Sequence, residues 1–208
     1  MMHKYIAVIT GNIIGSEALT KEDYEKVIKE VKKEFLRLQT IRKGIIKEEF
    51  SFFDDNNFKG VLVDPTFALD YSFSIRTAVQ YSAIGLGKSL DCKISIKLER
   101  VRASWSKTKL ATSSQMKAYK KTRCLLFNSP SLILNEEIDA SFSLVEAIIR
   151  KWSDFQWEVV FYLLRGYTQQ EIASELKISQ PAVNKRIKIA SWSEIKKFMT
   201  YFRAHMSN

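Results

Sequence analysis

The 208-residue sequence contains only two cysteines and two histidines. Cys92 and Cys124 are far from a CxxC spacing, and His3 and His205 stand at opposite ends of the chain, so the layout excludes a zinc finger. Cysteines this sparse are typical of a reducing cytoplasm, where a buried thiol packs as a small apolar group. We therefore expect a cytoplasmic protein with no metal site and no bound cofactor.

Long apolar runs are also missing. No stretch approaches the roughly 18 apolar residues of a membrane span, which excludes a membrane protein. The opening MMHKYIAVITGNIIGSEA superficially resembles a signal sequence, but Thr10, Gly11 and Asn12 interrupt its apolar segment. The chain has no glycine- or serine-rich linker and no internal repeat. Its GLG at residues 85 to 87 is too short for a glycine-rich phosphate loop.

Acidic residues are outnumbered, with 23 Asp and Glu against 33 Lys and Arg and a net charge of +10. The excess is local. Residues 97 to 123 hold nine basic groups and one acid, and residues 165 to 208 hold eight basic groups and three acids. Such a balance favours a polyanionic partner. The basic run at residues 107 to 123 is either a solvated face or an auxiliary phosphate-binding surface.

Hydrophobic periodicity predicts an α+β N-terminal domain. Strands are expected at residues 5 to 9, 45 to 53, 58 to 63 and 92 to 105, with the DDNN of residues 54 to 57 as a hairpin turn. Helices are expected at residues 21 to 39 and 66 to 84. The order β, α, β, β, α, β indicates an antiparallel sheet covered by helices. Further helices are expected at residues 144 to 152 and 154 to 164, so we divide the chain into residues 1 to 130 and 131 to 208.

The segment YTQQEIASELKISQPAVNKRIK at residues 167 to 188 has the pattern of a helix-turn-helix. Thr168 and Glu171 have the spacing of a capping box, which predicts the start of one helix. Ser179 is a second N-cap, and Pro181 is tolerated in the first turn of the helix it begins. The inward-facing positions of the two helices are then apolar or small: Ile172, Ala173, Leu176, Ile178, Val183 and Ile187.

The second helix, at about residues 180 to 190, faces outward with amide and ammonium groups. Gln and Asn can pair with adenine, and Lys reaches guanine or phosphate. Arg186 lies on the flank, where a structural salt bridge is as plausible as a phosphate contact. The candidate DNA-binding residues are Thr168, Ser179, Gln180, Asn184, Lys185, Arg186 and Lys188. We expect a winged-helix-like module of this kind.

Aromatic and apolar residues around this pair fit a helical core. In the preceding helix we expect the core side to be formed by Trp157, Val160 and Leu164. We also expect Trp152 and Trp192 to be core aromatics rather than stacking platforms. The last helix, at residues 193 to 203, carries an apolar stripe that either closes the module or docks a partner subunit. Its residues are Ile195, Phe198, Met199 and Phe202.

The segment WSDFQWEVVFYLLRGYTQQEIASELKISQPAVNKRIKIASWSEI resembles the C-terminal part of the SatD family of small bacterial proteins. The helix pair is also similar to those of sigma-factor region four and of LuxR-type regulators, and the opening YIAVITGNIIGS looks like the start of SatD-type proteins. The resemblance implies an N-terminal ferredoxin-like or cyclase-like sheet, similar to the palm fold of nucleotide and diguanylate cyclases.

The acidic residues of a cyclase palm are replaced in this sequence. In those enzymes the first strand ends in an acid and the hairpin carries a Gly-Asp-Glu-Phe-like turn, whose carboxylates hold a metal. Here the first position is Asn12, and the hairpin reads Asp55-Asn56-Asn57-Phe58-Lys59-Gly60. Amides are weak magnesium ligands and Lys59 would repel the ion, so we expect no enzyme, and Asp54 and Asp55 as turn formers.

These observations predict a bacterial DNA-binding transcriptional regulator that contacts double-stranded DNA through its second C-terminal helix. We expect a homodimer, because one recognition helix reads few base pairs. Residues 1 to 130 would serve dimerisation or sensing of a small-molecule or nucleotide effector. The alternative is a nucleotide-sensing or nucleotide-processing cyclase-like protein in which the helix pair only positions the molecule.

Overall fold

The computed structural model describes residues 5 to 42, 44 to 101 and 123 to 207. In these residues five strands and seven α-helices form an α+β fold, as predicted. The strands are β1 (Tyr5–Ile14), β2 (Ile46–Phe52), β3 (Asn57–Leu62), β4 (Asp91–Arg100) and β5 (Leu125–Asn128). The helices are α1 (Lys21–Ile41), α2 (Ala68–Ala83), α3 (Leu132–Ile149), α4 (Asp154–Leu163), α5 (Gln169–Leu176), α6 (Gln180–Ile189) and α7 (Trp192–Met206).

The five strands form one mixed sheet in the order β2-β3-β1-β4-β5. The β2/β3, β3/β1 and β1/β4 pairs are antiparallel, but β5 runs parallel to β4. The prediction of a wholly antiparallel sheet is therefore wrong at this edge. A parallel neighbour needs a connection of about a dozen residues or more, and the chain between β4 and β5 is long enough to provide one. With four residues, β5 is too short to reveal itself by alternation.

Strand β1 continues beyond its predicted end because Gly11 lies inside it. A Cβ at this position would come within 2.0 Å of the Phe58 ring, which therefore covers the glycine. The turn comes instead at Gly15, whose φ of 85° lies in the left-handed region that glycine adopts most easily. The longer strand brings Asn12 opposite Asn57 of β3.

The hairpin turn between β2 and β3 is held by Asp54, as predicted for a turn former. Its Oδ1 accepts the backbone N–H of Asn56 at 3.2 Å and that of Asn57 at 2.8 Å. Asp55 contributes its backbone, because the Tyr24 hydroxyl of α1 donates to the Asp55 carbonyl.

One hydrophobic core joins the sheet to the C-terminal helices. It includes Ile96 of β4, Phe142 of α3, Val160 of α4 and Phe202 of α7 in a single cluster of buried residues. Helix α3 begins at Leu132, well before the predicted residue 144, with Ser131 as its N-cap. The division into residues 1 to 130 and 131 to 208 stays a prediction, since this core spans both parts.

The apolar stripe of α7 packs within the chain. Ile195, Met199 and Phe202 are buried, and the Phe202 ring meets Phe127 of β5 with centroids 5.7 Å apart. The stripe therefore packs in the core that the sheet and the C-terminal helices share, and docking of a partner subunit stays a prediction. Trp152 and Trp192 are buried, as expected of core aromatics. Within the described ranges, every helix is too short or too polar to cross a membrane.

Candidate nucleic-acid interface

Helix α5 starts with the predicted capping box. Thr168 Oγ1 accepts the backbone N–H of Glu171 at 3.3 Å, and Glu171 Oε2 accepts the backbone N–H of Thr168 at 2.7 Å. The Thr168 backbone N–H, with the hydroxyl, lowers the pKa of the Glu171 carboxyl. The Thr168 side chain is thus engaged in capping the start of α5.

A tight turn joins α5 to α6. Lys177 closes α5 in the left-handed conformation, with φ 53° and ψ 43°, and the Ile178 N–H donates to the Ala173 carbonyl at 3.0 Å. Ser179 then caps α6, accepting the Ala182 N–H at 3.3 Å, and Pro181 lies in the first turn. Both predicted caps are present, so the direction of α6 is set by local hydrogen bonds.

A small apolar cluster holds α6 against α4 and α5. Val159, Ile172, Ala173 and Val183 are its buried members, and Ile178 and Ile187 pack at its edge. These are the positions that the sequence assigned to the inner side, with Val159 of α4 added. Their burial leaves the opposite side of α6 facing away from the core.

The exposed side of α6 carries the predicted amides and ammonium groups. Gln180, Asn184, Lys185 and Lys188 are all exposed, as is the cap Ser179. Among the described residues, neither Lys185 nor Lys188 has an ion-pair partner within 4.0 Å. The helix itself contains no acid. Two amides and two unpaired ammonium groups can donate to base edges and phosphates without first breaking an internal contact.

Arg186 forms a structural salt bridge, which is one of the two roles that the sequence left open. Its Nη1 donates to Glu158 Oε2 of α4 at 2.9 Å, and its guanidinium lies 4.5 Å from the centre of the Phe155 ring. The Arg186–Glu158 ion pair links α6 to α4 and engages the guanidinium group of Arg186. This residue therefore differs from its lysine neighbours, which are free of such contacts within the described part of the chain.

Helix α4, and with it the α5–α6 pair, is docked on the N-terminal helices. Arg165 Nη2 donates to Glu34 Oε2 of α1 at 2.5 Å, and Phe161 stacks on Tyr81 of α2 with ring centroids 3.7 Å apart. A further link connects α7 to α2, where Arg203 pairs with Asp70. These contacts hold the exposed side of α6 in a fixed direction relative to the sheet.

Within residues 123 to 207, no β-wing accompanies this pair. Helix α6 is followed directly by α7, and β5 is the one strand within residues 123 to 207. The winged-helix-like expectation is therefore wrong, because the apolar stripe after residue 192 has a helical period and packs as a helix.

The side-chain amides of Asn12 and Asn57 hydrogen-bond to each other. Asn12 Nδ2 donates to Asn57 Oδ1 at 2.9 Å, and Asn57 Nδ2 donates in turn to the Asp54 carboxylate at 2.7 Å. Ser16 donates to Asn56 Oδ1 at 3.0 Å. Within the ranges the structure describes, no three His, Cys, Asp or Glu side chains come together as a metal site.

The basic run at residues 107 to 123 lies almost entirely outside the described residues. Arg123 is its one described member, and it pairs with Asp139 of α3 and donates to Ser143 Oγ at 2.7 Å. Whether the run contacts nucleic acid stays a prediction.

Sequence reasoning missed a charged cluster beneath the sheet. Arg76 of α2 donates to both carboxylate oxygens of Asp91, at 2.8 and 2.9 Å, and to Glu146 Oε1 of α3 at 2.7 Å. It also lines a cleft of about 450 Å³. The available signal was an arginine in the middle of a helix with apolar residues around much of its circumference, a position that a buried cation occupies only when it is paired.

A scan against protein-family models and searches of curated proteins and of solved structures found no match to this chain. The functional reading therefore rests on the geometry and charge described above.

Proposed function

We propose that the protein is a DNA-binding transcriptional regulator whose helix-turn-helix is the α5–α6 pair, with α6 as the helix that enters the major groove. The observation that carries the proposal is the exposed side of α6. It presents Gln180, Asn184, Lys185 and Lys188, while the larger apolar side chains of the pair apart from Ile189 are buried or pack at the edge of the core. If these amide and ammonium groups were buried, the proposal would be excluded.

Charge supports the same reading. Residues 165 to 208 carry a net excess of basic groups, and the surface of α6 adds no acid that would repel phosphate. Phosphate attraction of this kind gives affinity and orientation, and the amides of Gln180 and Asn184 supply base discrimination. Ser179 and Thr168 contribute by setting where each helix begins. Arg186 is assigned to the scaffold.

Residues 1 to 130 are proposed as a sensing or dimerisation domain with a ferredoxin-like core. Its support is the element order β1-α1-β2-β3-α2-β4 with the strand order β2-β3-β1-β4, to which β5 adds an edge strand. Homodimerisation is part of the proposal, because a single α6 spans too few base pairs for useful selectivity. We propose that the domain performs no catalysis, since the Asn12–Asn57 amide pair stands where a cyclase needs carboxylates.

The rival reading is a nucleotide-sensing or nucleotide-processing protein in which α5 and α6 only position the molecule. It requires a purine nucleotide with magnesium to bind and to raise the melting temperature of the protein. If millimolar nucleotide leaves the melting temperature unchanged, this alternative is refuted.

Selection of bound fragments from random DNA with the intact chain tests the proposal. The full-length protein should enrich one sequence. The affinity of the double variant Asn184→Ala with Lys185→Ala for the selected sequence should fall by at least about thirtyfold, because each base contact contributes about 1–3 kcal/mol. The matched control is Lys29→Ala, an exposed lysine on α1. Enrichment by the double variant equal to that of the wild type would refute the assignment of α6.

A further inference from the structure

The most exposed large apolar side chains of the described residues all lie on α3. Leu132, Ile133 and Leu144 have relative exposures of 78%, 72% and 71%, above every other large apolar residue in the described ranges. The opposite side of the same helix, which includes Phe142 and Ile149, is buried in the shared core. A single exposed leucine is ordinary, but several on one element mark a surface that a partner can cover.

A line of exposed positions follows α3 at the spacing of a coiled coil. Successive members are four and three residues apart in alternation, so they stay on one side of the helix. We call these positions the α3 seam: Ile133, Glu137, Ala140, Leu144, Ala147 and, just past the helix end, Lys151. The two alanines allow a second helix to approach closely, since the distance between packed helices depends on the side chains at the contact.

The charges along this side are opposite at its two ends. Glu136 and Glu137 lie in the second turn of α3, and Lys151 follows its C-terminus. Among the described residues none of these three forms an ion pair, whereas the nearby Asp139 pairs with Arg123. A surface that is acidic at one end and basic at the other is complementary to a copy of itself turned end to end. The charge pattern therefore indicates the same chain as the partner.

We propose that the α3 seam is a homodimer interface, on which a second copy of the chain docks its own α3 in the antiparallel direction. Leu144 lies near the twofold axis, and Glu136 and Glu137 of each copy face the Lys151 of the other. The contact consists of one helix from each subunit, which is at the small end of specific interfaces, so the dimer has a Kd in the micromolar range.

Pairing through α3 also fixes the relative position of two α6 helices. The chain leaves α3 through Trp152, whose Nε1–H donates to the Ala190 carbonyl at the end of α6 at 3.0 Å. Formation of the dimer does not depend on DNA, but its use in placing two α6 helices rests on the proposed function. Since α3 lies beyond residue 130, this interface leaves residues 1 to 130 for the sensing role.

Sedimentation equilibrium of the intact chain without DNA, from micromolar to submillimolar concentration, tests the interface. The wild type should show a monomer–dimer equilibrium. Leu144→Glu should raise the dimer Kd at least about tenfold, because two carboxylates then meet in place of two apolar side chains. The matched control is Leu36→Glu, which changes a leucine of α1 that is 62% exposed and should leave the Kd unchanged. Urea unfolding should show that both variants are folded.

Two results of this experiment overturn the interface. One is a wild type that stays monomeric at the highest concentration, which would assign the α3 seam to a different partner. The other is a Kd for Leu144→Glu equal to that of the wild type.

Charge reversal tests the antiparallel direction. Glu137→Lys and Lys151→Glu each bring like charges together at both ends of the dimer and should each raise the Kd about tenfold. An equimolar mixture of the two variants should form a heterodimer with nearly the wild-type affinity, because opposite charges then meet at both ends. Lys29→Glu, a change of an exposed lysine on α1, should neither weaken the wild-type dimer nor restore that of Glu137→Lys. A mixture that shows no recovery overturns the antiparallel pairing.

DNA binding separates this inference from the proposed function. Leu144→Glu should weaken binding to a selected fragment with two half-sites but not to a single half-site, since α6 itself is unchanged. If the wild type dimerises and enriches no DNA sequence, the proposed function fails and the interface stands. If it enriches a sequence but stays monomeric without DNA, the interface fails and the role of α6 stands.

Discussion

Arg76 of α2 and Glu146 of α3 form an ion pair between two side chains that are each only 2% exposed, 70 residues apart in the chain. The pair, extended by Asp91, crosses from the N-terminal part to the C-terminal helices. Glu146 Oε2 is buried and has no hydrogen-bond partner in the described part of the chain. The cluster therefore links the two parts through the Arg76 and Glu146 charges, which are almost completely shielded from water.

Removing Arg76 should destabilise the protein strongly. Arg76→Met leaves the buried Glu146 and the partly buried Asp91 without their cation, and breaking a buried pair in this way costs about 3–5 kcal/mol. The free energy of unfolding from urea denaturation measures the loss. Lys33→Ala, which breaks an exposed pair with Glu30, should cost about 1 kcal/mol or less. Similar values for the two variants would contradict the structural role of the cluster.

Acid should weaken the same cluster. Burial alone would raise the pKa of Asp91, but the Arg76 charge and hydrogen bonds hold it below the ordinary value of 3.8. A carboxyl whose pKa is lower in the folded state stabilises the protein above its unfolded-state pKa, and this contribution disappears as the pH falls through the folded-state value. The unfolding free energy of the wild type should thus drop below about pH 4.

The comparison variant for that pH series is Asp91→Asn, which cannot ionise. Its unfolding free energy should be lower than that of the wild type at neutral pH and should fall less steeply in acid. Parallel curves for the two proteins would show that Asp91 does not contribute to the acid dependence.

Both thiols should be slow to react in the folded protein. Burial raises the pKa of Cys124 to about 12, and burial likewise raises that of Cys92 well above its ordinary value. Alkylation proceeds through the thiolate, so native protein at pH 8 should be labelled far more slowly than urea-unfolded protein. Rapid labelling of the native chain, followed by mass spectrometry, would disprove the burial of these residues.

Alanine variants of Arg186 and Lys188 should distinguish a role in stability from a role in DNA binding. Lys188→Ala should leave the unfolding free energy nearly unchanged, and should lower the slope of log K against log salt by about 1 if the residue contacts one phosphate. Arg186→Ala removes the Glu158 pair and should lower stability, with no change in that slope. Fluorescence anisotropy over a salt series and urea unfolding measure the two effects. A reduced slope in Arg186→Ala would reassign it to the interface.

The Thr168 cap offers a further test of what α5 contributes. Thr168→Ala should cost about 1 kcal/mol of stability, since it removes the acceptor for the Glu171 N–H. The base preference in a selection from random DNA should stay the same, because the hydroxyl is engaged within the helix start. A changed preference would indicate a direct contact.

The candidate interface was largely predictable because its determinants are local. The caps at Thr168 and Ser179 bind N–H groups three residues away, and the 3.6-residue period decides which side chains of α6 turn outward. The role of Arg186 was not predictable, since its partner Glu158 lies on another helix and no spacing rule relates the two.

The sheet shows the same contrast. The hairpin and the first four strands follow from alternation and turn residues, which act within a few positions of the chain. The parallel edge strand β5 could not be predicted in this way. Its four residues are too few to show alternation, and its parallel pairing with β4 is reached across a long connection. Gly11 has the propensity of a strand end, but inside the sheet it pairs with Phe58 of β3 and Ile94 of β4, and the Phe58 ring lies over it.

What the sequence alone determined about this protein is the set of helices and strands in its N-terminal part, the capped helix pair and the polar side of α6, all of which depend on neighbours within one or two turns. The tertiary structure decided the position of β5, the pairing of Arg186, the shared core and the cleft around Arg76. These depend on residues far apart in the chain, whose meeting is governed by packing of the whole molecule rather than by local periodicity.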